Sequence, residues 1–256
     1  MKRVVALMAL LAASAGAAAE VNFITCPVYR DTDNGRKSGC WLGEDPASGI
    51  RYDITQSAAK PDWNFAVLVE GRVAASPDDP CGGAVLDPVR VSILQDQPCT
   101  RHMIPAEGFK GRKYVLPKRN IDPLSVVRAK PQPPFATRSF RLFFDWNSDF
   151  IAYQREDHSL DMAIAWIRGA PVRSLTVTGY AATTPFNVSG QAMAEEKGMG
   201  QIRADHVAEA LYRLGIPKAK IVTRDGGDGG VIADALADDL PQASRRRVEI
   251  VAEVAE

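Results

Sequence analysis

Val89, Val91 and Ile93 alternate with polar neighbours in VLDPVRVSIL (85–94), which is the period of a half-buried β-strand. The run FAVLVEGRV at 65–73 is β-branched and apolar up to a Gly-Arg break, and it predicts a second strand. Turn residues separate these segments: SPDDP at 76–80, CGG at 81–83 and QDQP at 95–98. Short strands at such spacing predict a β-rich N-terminal domain over 20–128, a small barrel or sandwich.

The pattern changes in the second half. From Asp157 the residues Leu160, Ile164 and Ile167 recur at helical spacing as far as Gly169. A second helix is predicted from Ile202 to Leu214, with Val207, Ala210, Leu211 and Leu214 as its apolar stripe. Gly215 stops it, and Pro217 follows. Strands are predicted at 140–144, 174–180, 220–223 and 247–254, with a turn over DWNSD at 145–149. The order β-α-β-α-β-loop-β describes an α+β sandwich over 140–256, with helices on one face of the sheet. Between the halves lies AKPQPPFATRS (129–139), whose three prolines predict an extended, semi-rigid linker that holds two domains apart.

Composition adds an address. Lys2 and Arg3 precede an uncharged apolar run, Val4 to Ala15, and Ala17, Ala18 and Ala19 give a small-residue cleavage pattern. Residues 1–19 therefore read as a signal peptide, with Glu20 as the mature start, which places the protein in the periplasm. All four cysteines (Cys26, Cys40, Cys81, Cys99) fall in the first half, and in an oxidising compartment they predict two disulfides. Three pairings are possible. The local one, Cys26–Cys40 and Cys81–Cys99, is the expectation, because each pair brackets turn residues. Zinc is disfavoured by the absence of CxxC spacing and by only three histidines. Charge is balanced in each half, 14 basic against 14 acidic residues in 20–128 and 15 against 17 in 129–256, so no nucleic-acid partner is expected.

Four segments of the second half together resemble the OmpA-like, peptidoglycan-associated domain family. They are FRLFFDWNSDF (140–150), LTVTGYAATT (175–184), IRADHVAEALYRLGIPKAKI (202–221) and RRRVEI (245–250). The resemblance implies a fold that binds the diaminopimelate of the peptidoglycan peptide stem without catalysis or cofactor. In that family an Asp after the second strand accepts from the ligand ammonium, and the Arg of the helix pairs with its carboxylate. The Arg corresponds to Arg203, whereas the Asp position is Ala182; Tyr180 and Ala181 replace the usual His and Thr, and Glu196 and Gly200 the usual Asn and Ser. Thr183, Thr184 or Asp228 are the candidates to supply the missing oxygen. The expected function is tethering or scaffolding at the peptidoglycan or outer membrane. The alternative is a periplasmic binding module that has lost peptidoglycan and contacts an envelope protein or another anionic ligand.

Other motifs carry less. DGGDGG (225–230) lacks the acidic spacing of an EF-hand and reads as a flexible glycine-rich insertion; Asp234, Asp238 and Asp239 beyond it are candidates for a partner surface. His102, His158 and His206 lie in different elements, and His206, one turn after Arg203, reads as a partly exposed helix residue. No nucleophile elbow, phosphate loop or HExxH run is present, so no catalytic residue is assigned. Trp41 and Trp63 read as core in preference to a sugar-stacking platform.

Overall fold

The computed structural model describes residues 20–34, 39–75, 78–112, 129–152 and 155–255. The signal-peptide assignment at 1–19 and the end of the first half, 113–128, lie outside the described residues.

The first half forms one seven-stranded sheet, ordered β1-β5-β6-β4-β3-β2-β7. Its strands are β1 (Glu20–Thr25), β2 (Val28–Arg30), β3 (Cys40–Glu44), β4 (Arg51–Asp53), β5 (Phe65–Val73), β6 (Ala84–Pro98) and β7 (His102–Ile104). β6 is longer than expected and runs through QDQP, with a register shift at Phe65/Ala66 taking up the irregularity. It joins the two parts of the sheet by pairing with β5 along most of its length and with β4 at Ala84 and Val85. Phe23, Trp41, Tyr52, Val67, Val69 and Val91 fill one side of the sheet, with Tyr29 and Trp63 partly buried against them, so Trp41 is a core residue and Trp63 lies at the core's margin.

This arrangement overturns the local disulfide pairing. The bonds are Cys26–Cys99 and Cys40–Cys81, with Cα separations of 5.7 and 5.9 Å. β1 and β6 flank β5 and both end beside its start, where Thr25 faces Val67 and Pro98 faces Phe65. That brings Cys26 to Cys99. Cys40 opens β3, and its neighbour β4 pairs with the start of β6 just after Cys81. Sheet order, not proximity along the chain, decides the partners.

The second half is a four-stranded sheet, ordered β12-β9-β13-β8, with two helices packed on one face. The elements are β8 (Arg138–Phe143), α1 (Glu156–Gly169), β9 (Val172–Ala181), a small hairpin of β10 (Phe186–Val188) and β11 (Gln191–Met193), α2 (Met199–Arg213), β12 (Ile221–Asp228), a one-turn α3 (Pro241–Ser244) and β13 (Arg247–Val254). β12 runs parallel to β9, and β13 is antiparallel to both its neighbours. The hairpin has no counterpart in the sequence expectation. Leu214 is not part of the α2 stripe but is 47% exposed at the helix end, where Gly215, at φ +91°, turns the chain; Met199, Arg203 and Ala204 face inward instead.

DGGDGG is not a flexible insertion. Asp225 to Asp228 complete β12, and Gly229 donates to the Ala181 carbonyl at 2.7 Å. A Cβ at Gly229 would stand 2.0 Å from the Arg245 carbonyl oxygen, so the glycine is what allows this close approach.

Nor does the proline-rich stretch hold the halves apart. Pro131 packs on the end of α1 at Gly169, and the two sheets share a buried interface. Residues of β5 alternate between two cores: Val67 and Val69 face the first, while Ala66 and Leu68 meet Trp146, Ala182 and Val188 of the second half. The polar positions of β6 follow the same logic. Arg90 and Ser92 are buried against the second half, whereas Ile93 is 36% exposed. Ser92 Oγ accepts from the Trp146 amide at 3.0 Å. Arg90 pairs with Asp238 at 3.0 Å and lies 3.8 Å from Glu156, itself held by Arg155. Glu70 and Arg246, both fully buried, meet across the boundary with Arg246 Nη1 donating to Glu70 Oε1 at 2.9 Å.

Candidate functional site

The pair that the family resemblance points to lies where β9 ends and α2 begins. Helix and strand approach so closely there that a Cβ at Gly179 would fall 1.9 Å from the Gly200 carbonyl oxygen, and one at Gly200 would meet Gly179 in turn. A serine in place of Gly200 therefore has no room. This contact sets Arg203, one turn into α2, directly behind the end of β9.

Arg203 is completely buried. Its Nε donates to the Ser148 carbonyl at 2.8 Å, Nη1 to the Tyr180 carbonyl at 3.0 Å and Nη2 to the Asp145 carbonyl at 3.1 Å. The remaining donors of the fork are taken by Glu195, Nη1 to Oε2 at 3.0 Å and Nη2 to Oε1 at 2.6 Å. Neither side chain is exposed. Glu195 also accepts from the backbone: Ala182 N–H to Oε2 at 2.8 Å and Asn147 N–H to Oε1 at 2.7 Å. Burial raises its carboxyl pKa, but the hydrogen bonds and charge of Arg203 outweigh that and hold it below the ordinary value. A bidentate fork plus two amides is a complete carboxylate seat. The chain supplies the carboxylate itself.

Ala182 is equally closed. It is fully buried in the interface cluster, with Trp146, Val188, Ala66, Leu68 and Leu94. The position at which the family has its ammonium acceptor is thus packed beneath the first half's sheet. Arg203 as a freely available ligand residue is corrected by this geometry: its donors are spent, and it is sealed from solvent.

The three alternative candidates Thr183, Thr184 and Asp228 lie together, and away from the Arg203 fork. Asp228 Oδ1 accepts from Thr183 Oγ1 at 3.1 Å, the Thr184 amide at 2.7 Å and Arg245 Nη2 at 2.8 Å. Against the upward push of desolvation, these hydrogen bonds and the Arg245 charge bring its pKa down to about 2. The cluster neutralises itself and closes the turn after β9 onto β12.

Asp234 pairs with Arg141 and Asp238 with Arg90, so two of the three aspartates serve internal contacts. His206 Nδ1 lies 2.9 Å from Asp149 on a surface where both side chains are more than 40% exposed, in keeping with a solvent-facing helix residue. Among the described residues no group of three or more His, Cys, Asp or Glu is arranged to hold a metal, and no helix is long and apolar enough to cross a membrane.

Glu195 was not visible as a site residue. Its only signal was chemical, since a buried arginine demands an anion, and the path of the β10–β11 arm that delivers it has no sequence signature.

The order β8-α1-β9-α2-β12-β13, and the position of Arg203 behind the end of β9, fit the four motif segments. Solved OmpA-like domains are similar to this chain over a little under half of its length. Similar solved structures include the OmpA-like domain of FopA1 from Francisella tularensis, 19% identical over 47% of this chain and 77% of that one, with a TM-score of 0.36. The periplasmic domain of Helicobacter pylori MotB is 20% identical over 47% and 76% of the two chains, with a TM-score of 0.37. The peptidoglycan-associated lipoprotein from Burkholderia pseudomallei is 19% identical over 44% and 90%, with a TM-score of 0.33. No protein-family profile matches the sequence. No curated protein matches it either.

Proposed function

We propose that this is a non-catalytic periplasmic protein of the cell envelope whose OmpA-like half has given up the peptide stem of peptidoglycan and serves as a scaffold for the β-rich first half. It shares the loss of peptidoglycan with the second function the sequence left open, a binding module for an envelope protein or another anionic ligand, and differs from it in the scaffold role. In this reading the signal peptide at 1–19 exports a protein whose first half packs on the OmpA-like half through the cluster of Ala66, Leu68, Trp146, Ala182 and Val188.

The observation that carries the reading is the Arg203–Glu195 pair. A stem carboxylate would have to displace an internal one that makes four hydrogen bonds and needs no ordering from solution. An intramolecular occupant has an effective concentration in the millimolar range or above, so a free ligand of ordinary affinity competes poorly. The ammonium side of such a ligand finds Ala182, fully buried in an apolar cluster, where the family has its carboxylate.

Co-sedimentation of the mature protein with purified peptidoglycan tests this, alongside a thermal melt with and without free diaminopimelate. The protein is expected in the supernatant, with an unshifted melt. Pelleting that diaminopimelate competes away would overturn the reading and restore wall tethering.

A further inference from the structure

A cleft of about 890 Å³ opens between the two halves, outside the closed seat. One wall is β6 from Val91 to Gln97, and the other is the turn 145–150 with the arm 192–196. Successive side chains of a strand point to opposite faces. A cleft touched by both Ile93 and Leu94, which face opposite ways, therefore runs along the strand's edge rather than over one face, and the bulge at Gln95 to Gln97, outside the β5 register, continues its wall. That edge is free among the described residues: from Val91 to Leu94 β6 pairs with β5 on one side, while β4 covers its other side only at Ala84 and Val85.

The lining has a definite sign. Asp96, Asp145, Asp149 and Glu196 contribute carboxylates, and there is no Lys, Arg or His. Asp145 is compensated by Arg155 and Asp149 shares its carboxylate with His206 at the rim, whereas Asp96 and Glu196 have no cationic partner among the described residues. Apolar surface lies beside them, with Phe150 65% and Ile93 36% exposed.

We propose that this cleft binds an extended segment of a partner protein, in which Lys or Arg alternates with apolar residues, as an added strand on the free edge of β6. Backbone hydrogen bonds to the edge supply affinity, Ile93 and Phe150 take the apolar side chains, and Asp96 and Glu196 select the cations. The proposal is independent of whether the Arg203 seat binds a wall peptide.

Fluorescence anisotropy with the intact mature protein tests it, using a labelled peptide of alternating lysine and valine. Two controls accompany it: the same peptide with glutamate for lysine, and one with alternate backbone amides methylated. The lysine peptide is expected to bind, the glutamate peptide not to bind, and methylation to abolish binding by removing the peptide N–H groups that donate to the β6 edge carbonyls. The double variant Asp96→Asn/Glu196→Gln, at exposed positions where folding is unaffected, should weaken binding roughly two- to tenfold at low salt, less as salt is added. No binding of the lysine peptide, equal binding of both charge types, or an unchanged affinity for the double variant would overturn the proposal. Undiminished binding of the methylated peptide would overturn strand addition.

Discussion

Replacing Glu195 by alanine isolates the energetic role of the internal carboxylate. The change removes both acceptors of the Arg203 fork and two backbone acceptor contacts, and it leaves a guanidinium that is 0% exposed with only three carbonyl oxygens for company. Breaking a buried pair from one side costs about 3–5 kcal/mol, because the surviving ion keeps its desolvation penalty without its partner. For a chain of this size each kcal/mol corresponds to about 2–4 °C, so Tm should fall by roughly 6–20 °C. Urea unfolding followed by circular dichroism gives the free energy. The double variant Glu195→Ala/Arg203→Ala should cost less than the sum of the single changes, with a coupling of about 2 kcal/mol or more. Acetate should recover part of the stability lost in Glu195→Ala by refilling the seat. The pH dependence carries a definite sign. The folded pKa of Glu195 lies below its unfolded value of about 4.3, so its contribution is fully present above that pH and is lost as pH falls through the depressed folded value. A Glu195→Ala protein within about 1 kcal/mol of wild type would refute the reasoning, since a spent and buried fork cannot lose its only anion at so small a cost.

Other outcomes follow from the same structure. Arg246→Ala strips Glu70 of its partner across the boundary and should destabilise by about 3–5 kcal/mol; calorimetry should also show the single transition of the wild type dividing into two. Non-reducing peptide mapping should recover Cys26 linked to Cys99 and Cys40 to Cys81. With sequence separations of 73 and 41, replacing either pair by serine should cost about 4–4.5 kcal/mol on a chain-entropy argument. Glu20 has a pKa raised to about 7 by burial and by the neighbouring Glu70. Its folded form therefore binds a proton that the unfolded chain has released, and stability should decline as pH rises from about 5 to about 7; Glu20→Gln should flatten that decline in denaturation curves.

Periodicity revealed much of the fold. β5, β13, α1 and the body of α2 lie where the apolar spacing puts them, because each has one face whose burial its own sequence enforces. What escaped the sequence depends on second faces. Arg90 and Ser92 alternate with valines in a manner that reads as a wetted strand surface, yet both are buried, since their partners Asp238 and the Trp146 amide stand 148 and 54 positions away. Cysteine pairing failed for the same reason: loop length favours local bonds, whereas strand order places β1 beside β5 and β5 beside β6. The glycines at 226 and 229 looked like flexibility and are instead clearance for the Tyr180 ring and the Arg245 carbonyl. At the candidate site the motif singled out Arg203, which the fold sets behind the end of β9. Only the path of the chain between β9 and α2 revealed that its anion is already in place.

The contact between Glu70 and Arg246 has a practical corollary for anyone dividing or recombining this polypeptide. A cut at the prolines would leave one fragment with a stranded anion and the other with a stranded cation, each in a surface meant to be dry. Fragments made that way are expected to aggregate or soften, and their failure to bind something would say little about the uncut protein. Grafting either half onto a relative calls for moving both charges together, as a lock with its key.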